Sequence, residues 1–207
     1  MYRNFLKRIL DIVISLGILV FGLPIWLLIC ILIWLDSPGA SPFFVQERVG
    51  LNGRTFNMIK FRSMIPDAYK YGRGLYFDGE DDWRITRVGR FLRKTSLDEI
   101  PQLINVLIGD MSLIGPRPML PYQYEYLSDE QKRRFEVRPG ITGLAQVKGR
   151  NAIPWSLRIK LDIYYIDNLT FGMDCRLILE TIAAVFSHKD ILHDQTQEEV
   201  EDFIHKI

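Results

Sequence analysis

The fold is decided by an uncharged run near the N-terminus, Ile12–Leu35, which reads IVISLGILVFGLPIWLLICILIWL. At 1.5 Å per helical residue the run would be about 36 Å long, enough to cross a hydrocarbon core of about 30 Å. A secretory signal peptide has a shorter apolar stretch followed by a small-residue cleavage site, and this run matches neither feature. The run therefore predicts a membrane segment.

The middle and the flanks of this run favour a hairpin over a simple spanning helix, which is the alternative. Pro24 lies near the middle, and a proline removes a backbone donor and bends or breaks a helix. Basic residues flank the run on both sides, namely Arg3, Lys7, Arg8, Arg48, Arg54, Lys60 and Arg62. Because positive residues resist translocation, a helix–break–helix that enters and leaves by one face keeps both flanks inside. We predict a re-entrant hairpin over residues 1–36 with a break near Pro24, and a compact domain over residues 37–207.

Composition limits what the second part can be. The chain of 207 residues has 26 Lys and Arg against 25 Asp and Glu, a formal net charge of +1, whereas domains that coat nucleic acid are strongly basic. Charged residues make up 25% of the chain and aromatic residues 12%, which excludes overall disorder. We therefore expect a folded domain whose partners do not include nucleic acid.

Sequence patterns in this domain predict few strands and many helices. Ser41–Val49 and Arg54–Met64 read as a hairpin around the turn Leu51–Gly53. Helical patterns cover 85–94, 98–107, 121–127, 128–135, 156–168 and 173–187, and the capping box at 196–199 opens a last helix. Residues 72–82 and 137–151 read as loops. The predicted fold class is mainly α with a small β-hairpin (α+β).

The segment Thr95-Ser96-Leu97-Asp98-Glu99 has a structural and a chemical interpretation. In the first, Ser96 caps a helix and Glu99 completes a capping box. In the second, the two carboxylates lie in the first turn of a helix, which lowers the pKa of a carboxyl group and attracts phosphate. An ionised Asp there could act as a nucleophile toward a phosphoryl group or bind Mg²⁺.

Cationic residues near this segment favour the chemical interpretation. Arg84, Arg87, Arg90 and Arg93 recur at every third position without an acid among them, so anions are expected nearby. Two further arginines lie beside constrained backbone, Arg117 between Pro116 and Pro118 and Arg138 before Pro139-Gly140. A preorganised guanidinium suits bidentate contact with phosphate. Lys60 on the predicted second strand adds a point charge.

Six motifs in order resemble the bacterial sugar transferase family, the monotopic phosphoglycosyl transferases, and the small members in particular. The motifs are 60–64 (KFRSM), 84–89 (RITRVG), 95–99 (TSLDE), 109–118 (GDMSLIGPRP), 138–143 (RPGITG) and 161–165 (LDIYY). The resemblance covers nearly the whole chain. It implies transfer of a sugar-1-phosphate from a UDP-sugar to polyprenol phosphate (undecaprenyl phosphate), with release of UMP, as the first membrane step of glycan or polysaccharide synthesis.

The resemblance also implies roles for individual residues. Asp98 matches the family's nucleophile, which forms a covalent phosphosugar intermediate and is associated with Mg²⁺, and Glu99 matches the residue that deprotonates or positions the acceptor phosphate. Arg117 matches the phosphate-binding arginine. Lys60, Arg93 and Asp162 match further functional polar positions.

The family also implies a location and leaves other questions open. It places the protein at the bacterial inner membrane, with the catalytic domain facing the cytoplasm and membrane lipid as a partner. No motif names the sugar, although loop 72–82 is a candidate for specificity, and the oligomeric state is open. The alternatives are a membrane-associated phosphatase and a non-catalytic membrane-anchored module.

Overall fold

The computed structural model describes residues 2–72, 82–149 and 153–187, which form a mostly helical structure with two small sheets. The α-helices are α1 (Lys7–Asp36), α2 (Arg87–Lys94), α3 (Gln102–Ile108), α4 (Pro121–Tyr124), α5 (Asp129–Lys132), α6 (Leu144–Gly149), α7 (Trp155–Asp167) and α8 (Phe171–Ser187). The strands are β1 (Phe43–Val49), β2 (Thr55–Phe61), β3 (Ser112–Ile114) and β4 (Gly140–Thr142). The hairpin and the predicted helices are present within the described ranges, although the helix expected at 98–107 begins only at Gln102 and the one expected at 121–127 ends at Tyr124. Most of loop 72–82 and the C-terminal helix from 196 lie outside the described ranges.

Helix α1 is the one described helix that is long and apolar enough to cross a membrane. It continues through Pro24, where the sequence predicted a break. A proline removes one helical hydrogen bond, but in apolar surroundings the remaining backbone groups stay paired only if the helix goes on. Gly22 has a packing role rather than a breaking one, because a Cβ atom there would lie 2.3 Å from the ring of Trp26.

The N-terminal end of α1 is bound to the domain by polar contacts. Lys7 Nζ lies 2.7 Å from Asp174 Oδ2 on α8, and both side chains are buried. The Asp11 carboxylate accepts a hydrogen bond of 3.1 Å from the backbone N–H of Leu113 on β3. A charge pair and a carboxylate thus hold this end of the helix to α8 and β3.

The C-terminal end of α1 packs against the same domain through apolar contacts. Ile29 and Ile33 are buried in a cluster with Phe61 of β2 and Leu92 of α2. One turn further, Asp36 accepts a hydrogen bond of 3.0 Å from the N–H of Val88. Helix α1 is therefore part of the core at both of its ends, and the side chains between them are mostly exposed.

Strands β1 and β2 form the predicted antiparallel hairpin, with Phe43 opposite Phe61 and Val49 opposite Thr55. The turn between them places Asn52 at φ 55° and Gly53 at φ 75°, a conformation that these two residue types adopt at little cost. Because side chains alternate along a strand, the hairpin packs one of its faces against the domain. Lys60 lies near the end of β2.

The second sheet pairs β3 with β4 in parallel, and the sequence did not predict it. Residues 137–151, expected to be irregular, contain β4 and α6. The glycines that indicated a loop instead permit close approach of two backbones, since a Cβ on Gly140 or Gly143 would lie 2.1 Å from a backbone atom of Gly115. This sheet holds the segment that leads into Arg117.

Candidate active site

Asp98 and Glu99 lie on a short 3₁₀ turn, Leu97–Glu99, between α2 and α3. The capping interpretation of this segment is wrong, because Ser96 has a left-handed backbone with φ 57° and its side chain caps nothing. Helix α3 begins only at Gln102, directly after Pro101. A non-glycine residue in the left-handed region costs free energy and is enriched at functional sites.

The carboxylate of Glu99 is held by two cations. Its Oε1 accepts hydrogen bonds from Lys60 Nζ at 2.7 Å and from an Arg117 guanidinium N–H at 2.8 Å. Burial alone would raise the pKa of the Glu99 carboxyl, but Arg117 and Lys60 outweigh burial and hold this pKa well below its usual range. Glu99 is therefore a poor proton acceptor, and its position suits it to fix the two cations.

The carboxylate of Asp98 is in the opposite situation. No group in the described part of the chain donates a hydrogen bond to it, and its side chain is partly exposed. Burial raises the pKa of the Asp98 carboxyl above its ordinary value, and the charges of Lys60, Arg93 and Arg117 oppose that rise. The expected lowering of this pKa by a helix N-terminus is wrong, since the turn that carries Asp98 precedes α3.

Arg93 is the member of the arginine run that approaches this pair. Its Nε donates a hydrogen bond of 2.9 Å to Ser63 Oγ, and its charge acts on Asp98. Arg84 has a structural role, because its buried guanidinium pairs with Asp82 at 2.6 Å. The structure thus brings together Lys60, Arg93, Arg117 and the two carboxylates, as the motifs implied.

Asp162 is linked to Asp98 and Glu99 only indirectly, through Arg134 and Arg117. Its buried carboxylate lies 2.6 Å from an Arg134 nitrogen, and the same nitrogen donates a hydrogen bond of 3.0 Å to the carbonyl of Arg117. The sequence pointed to Asp162 as a functional polar residue, and the structure makes it a positioning residue for the Arg117 backbone. Arg134 was missed, because no motif spacing links residue 134 to residue 117.

Arg138 lies elsewhere. Its Nε donates a hydrogen bond of 2.8 Å to the carbonyl of Gly109, and no contact joins it to Asp98 or Glu99 within the described ranges. The constrained backbone beside Arg138 serves the close approach of β4 to the segment after β3. The expected phosphate-binding role of Arg138 at the carboxylate pair is not supported by this placement.

Arg48 belongs to the site, although the sequence reading assigned it only to the basic flank of the membrane run. Its guanidinium donates a hydrogen bond of 2.6 Å to Gln46 Oε1, and its charge interacts with those of Arg117 and Glu99. The sequence did contain a signal for this placement. Phe44 of β1 lies opposite Lys60, and because residues two positions apart share a face of a strand, Arg48 lies on the same face of the hairpin as Lys60.

The residues present fit Mg²⁺ in one way only. Among the described residues, no group of three or more His, Cys, Asp and Glu side chains could hold a metal ion. Mg²⁺ is often bound by one or two carboxylates with substrate phosphates and water completing the shell. The Asp98 carboxylate, which accepts no hydrogen bond from the described residues, suits that arrangement.

The fold and the site together define a class of protein, an enzyme that handles phosphorylated substrates beside an apolar helix. A profile of the bacterial sugar transferase family matches residues 2–188. The chain belongs to that family and is a phosphoglycosyl transferase.

Three relatives show how far the likeness extends. The uncharacterized sugar transferase EpsL of Bacillus subtilis is 41% identical over 186 residues, which are 90% of each chain. The UDP-glucose:undecaprenyl-phosphate glucose-1-phosphate transferase of Caulobacter vibrioides is 40% identical, over 87% of this chain and 70% of its own. The undecaprenyl-phosphate galactose phosphotransferase of Salmonella typhimurium is 39% identical, over 88% of this chain but 40% of its own length. The likeness therefore covers most of this chain in all three.

Proposed function

We propose that the protein transfers a sugar-1-phosphate from a UDP-sugar to polyprenol phosphate in two steps, with Asp98 as the nucleophile. One observation carries the mechanism: two neighbouring carboxylates have opposite environments, Glu99 held by two cations and Asp98 without a hydrogen-bond donor among the described residues. Environments that separate two carboxyl groups in this way assign them different roles. The activities for which the Caulobacter and Salmonella relatives are named supply the substrate class, an undecaprenyl phosphate acceptor with a hexose donor.

In the first step an Asp98 carboxylate oxygen attacks the phosphorus that carries the sugar. The bond to the bridging oxygen breaks, that oxygen and its electron pair leave with UMP, and an acyl phosphate joins Asp98 to the sugar-1-phosphate. Lys60, Arg93 and Arg117 stand where negative charge develops on the phosphoryl oxygens, and fixed cations of this kind stabilise phosphoryl transfer. A Mg²⁺ ion bound by Asp98 and phosphate oxygens would neutralise part of the same charge.

In the second step a phosphate oxygen of polyprenol phosphate attacks the same phosphorus. The bond to Asp98 breaks, the carboxylate is regenerated, and a polyprenyl diphosphate sugar is formed. An acceptor phosphate is ionised near neutral pH and needs no strong base. Glu99 accordingly serves by fixing Lys60 and Arg117, which fits its lowered pKa better than the role of a base does.

We further propose that the protein lies at the cytoplasmic face of the bacterial inner membrane, with both ends of α1 on the cytoplasmic side. Both ends of α1 contact the same domain, through Lys7 and Asp11 at one end and Ile29, Ile33 and Asp36 at the other. A helix that crossed the bilayer would carry one end away from the domain. Basic residues near both ends favour the cytoplasmic side.

The experiment that tests this function separates its two steps. The purified chain is incubated with Mg²⁺ and a UDP-sugar labelled in the sugar, without lipid acceptor, and the protein is analysed for covalent label. We expect an adduct in wild type, none in Asp98→Asn, and a wild-type level in the control Asp129→Asn, whose side chain is exposed on α5.

The remaining outcomes decide between the alternatives. An adduct retained in Asp98→Asn would refute the nucleophile. Release of free sugar phosphate to water at the transfer rate would indicate a phosphatase. Wild-type chain that neither forms an adduct nor transfers sugar across a panel of UDP-hexoses would favour a non-catalytic membrane-anchored module.

A further inference from the structure

The cations of the site extend beyond those needed at Asp98. The positive charges of Arg48 and Arg158 are both repelled by that of Arg117. Neither guanidinium forms an ion pair with a carboxylate in the described part of the chain. Arg48 Nε is buried without a hydrogen-bond partner. Burial, and then repulsion by Arg117, lowers the pKa of both guanidinium groups, for Arg48 to about 10. A bound anion would relieve this repulsion, and a diphosphate brings adjacent negative charges.

A cavity adjoins this cationic cluster through Trp155. The guanidinium groups of Arg134 and Arg158 lie 5.6 Å and 5.9 Å from the centre of the Trp155 ring, and Arg134 also binds the carbonyl of Arg117. The cavity measures about 270 Å³ and is lined by Gln123, Tyr126, Leu127, Gln131, Trp155 and Ile159. It combines aromatic walls with two amides, which suits a planar polar ring rather than a lipid tail.

The two amides are oriented by the helices that carry them. Gln123 Oε1 accepts a hydrogen bond of 3.0 Å from the N–H of Leu120, and Gln131 Oε1 accepts one of 3.0 Å from the N–H of Ser128. Each oxygen is thus committed to a capping box at the start of α4 or α5. Each NH₂ group has no partner within the described residues and remains a donor. The cavity therefore offers two donors to a ligand with two acceptors.

We propose that this cavity and the arginines Arg48, Arg117 and Arg158 form the nucleotide subsite of the donor. The diphosphate lies on the three guanidinium groups, and the base stacks on Trp155 with its two carbonyl oxygens accepting from Gln123 and Gln131. Uracil, a pyrimidine with two carbonyl oxygens, meets this pattern, whereas cytosine presents an amino group at one of the two positions. The inference rests on the proposed function in requiring a nucleotide-linked donor.

The test removes the side-chain NH₂ donor of each glutamine and keeps the oxygen that caps the helix. Gln123→Glu and Gln131→Glu retain an oxygen for the backbone N–H, because Glu also completes a capping box, but they lose the donor. Binding of UMP and of CMP to the full chain in detergent micelles is measured by calorimetry. We expect each variant to weaken UMP binding at least tenfold and to reduce the preference for UMP over CMP. The control Asn168→Asp adds the same charge at the far, exposed end of α7 and should stay within twofold of wild type.

Two further variants test the rest of the subsite. Arg48→Met should weaken UDP binding at least tenfold, and Trp155→Ala should weaken UMP binding tenfold to a hundredfold, the range expected for lost stacking. UMP affinity within twofold of wild type in both glutamine variants, or equal affinity of wild type for UMP and CMP, would overturn the subsite.

Failure of the subsite and failure of the reaction give different results. UMP carries no sugar phosphate, so its binding is measured without turnover and does not depend on the nucleophile. A wild-type chain that forms the Asp98 adduct from a UDP-sugar but shows no discrimination between UMP and CMP would overturn the subsite alone. Absence of the adduct with UMP binding sensitive to both glutamine variants would support the subsite and overturn the two-step reaction.

Discussion

Asp98 and Glu99 are adjacent in the chain and share the same cations, yet their surroundings move their pKa values in opposite directions. Glu99 receives two charge-assisted hydrogen bonds, which stabilise its ionised form. Asp98 is partly desolvated and receives no such bond from the described residues, which destabilises its ionised form and leaves its oxygens available. A nucleophile benefits from this arrangement, since a carboxylate tied up in hydrogen bonds reacts more slowly.

The raised pKa of Asp98 has a consequence for the dependence of activity on pH. An acid whose pKa is raised keeps its proton to higher pH, so the fraction of reactive carboxylate falls as pH drops through that pKa. The Lys60 charge opposes the rise. In Lys60→Met we therefore expect the acidic limb of kcat/KM to move to higher pH, and in Lys60→Arg, which keeps the charge, to stay closer to wild type. Initial rates of sugar transfer across the pH range measure this, and a limb at the same pH in both variants would contradict it.

The sequence predicted which motif residues lie together better than it predicted the residues that support them. Lys60, Arg93, Asp98, Glu99 and Arg117 occur in motifs whose order indicated one site, and the structure brings them together. The supporting residues act through contacts between distant segments. Arg134 meets the carbonyl of residue 117 only in three dimensions, and the left-handed backbone of Ser96 is invisible to a pattern that also fits a helix cap.

Among the secondary-structure elements, α1 is both the long apolar helix and a part of the core. Ile29 and Ile33 pack on Phe61, the residue next to Lys60 on β2, and on Leu92, the residue next to Arg93 on α2. The same helix therefore supports β2 and α2, the two elements that carry Lys60 and Arg93.

Two isoleucines of α1, one buried and one exposed, test whether its buried face contributes to stability. Ile33 is 2% exposed and Ile31 is 55% exposed. Ile33→Ala should destabilise the protein by about 2–4 kcal/mol, because it removes buried methyl groups and leaves a cavity. Ile31→Ala should change stability by less than about 0.5 kcal/mol in detergent. Thermal unfolding in micelles, followed by circular dichroism, compares the two, and equal shifts in Tm would contradict the packing.

Elements with local signals were predictable, and elements that depend on distant partners were not. The hairpin of β1 and β2 follows from alternation around a turn, and α7 and α8 follow from helical periodicity. The parallel pair of β3 and β4 joins two three-residue segments far apart in the chain, too short for a periodic pattern. The break expected at Pro24 is absent, because the remaining backbone groups of an apolar helix stay paired only if the helix continues.

For the whole molecule, the decisive relation is between α1 and the rest of the chain. A helix of 30 residues is about 45 Å long, and both of its ends contact the domain that carries the site. Many apolar side chains along its middle, among them Val13, Phe21 and Leu28, are more than half exposed. Lipid is the environment that suits them, so the domain and its carboxylate pair should lie at the membrane surface, where a soluble donor and a lipid acceptor can meet.

This arrangement makes a prediction about topology that a spanning helix does not share. In a chain with Cys30→Ser and Cys175→Ser, single cysteines are introduced as Arg3→Cys before α1 and Ser41→Cys after it, with Leu23→Cys near its middle as the control. A membrane-impermeant maleimide is applied to sealed inside-out and right-side-out vesicles. We expect positions 3 and 41 to be labelled from the cytoplasmic face only and position 23 from neither face. Labelling of positions 3 and 41 from opposite faces would mean that α1 spans the bilayer, and then either the Lys7–Asp174 pair or the Asp36–Val88 hydrogen bond could not form, because the domain would lie on one side only.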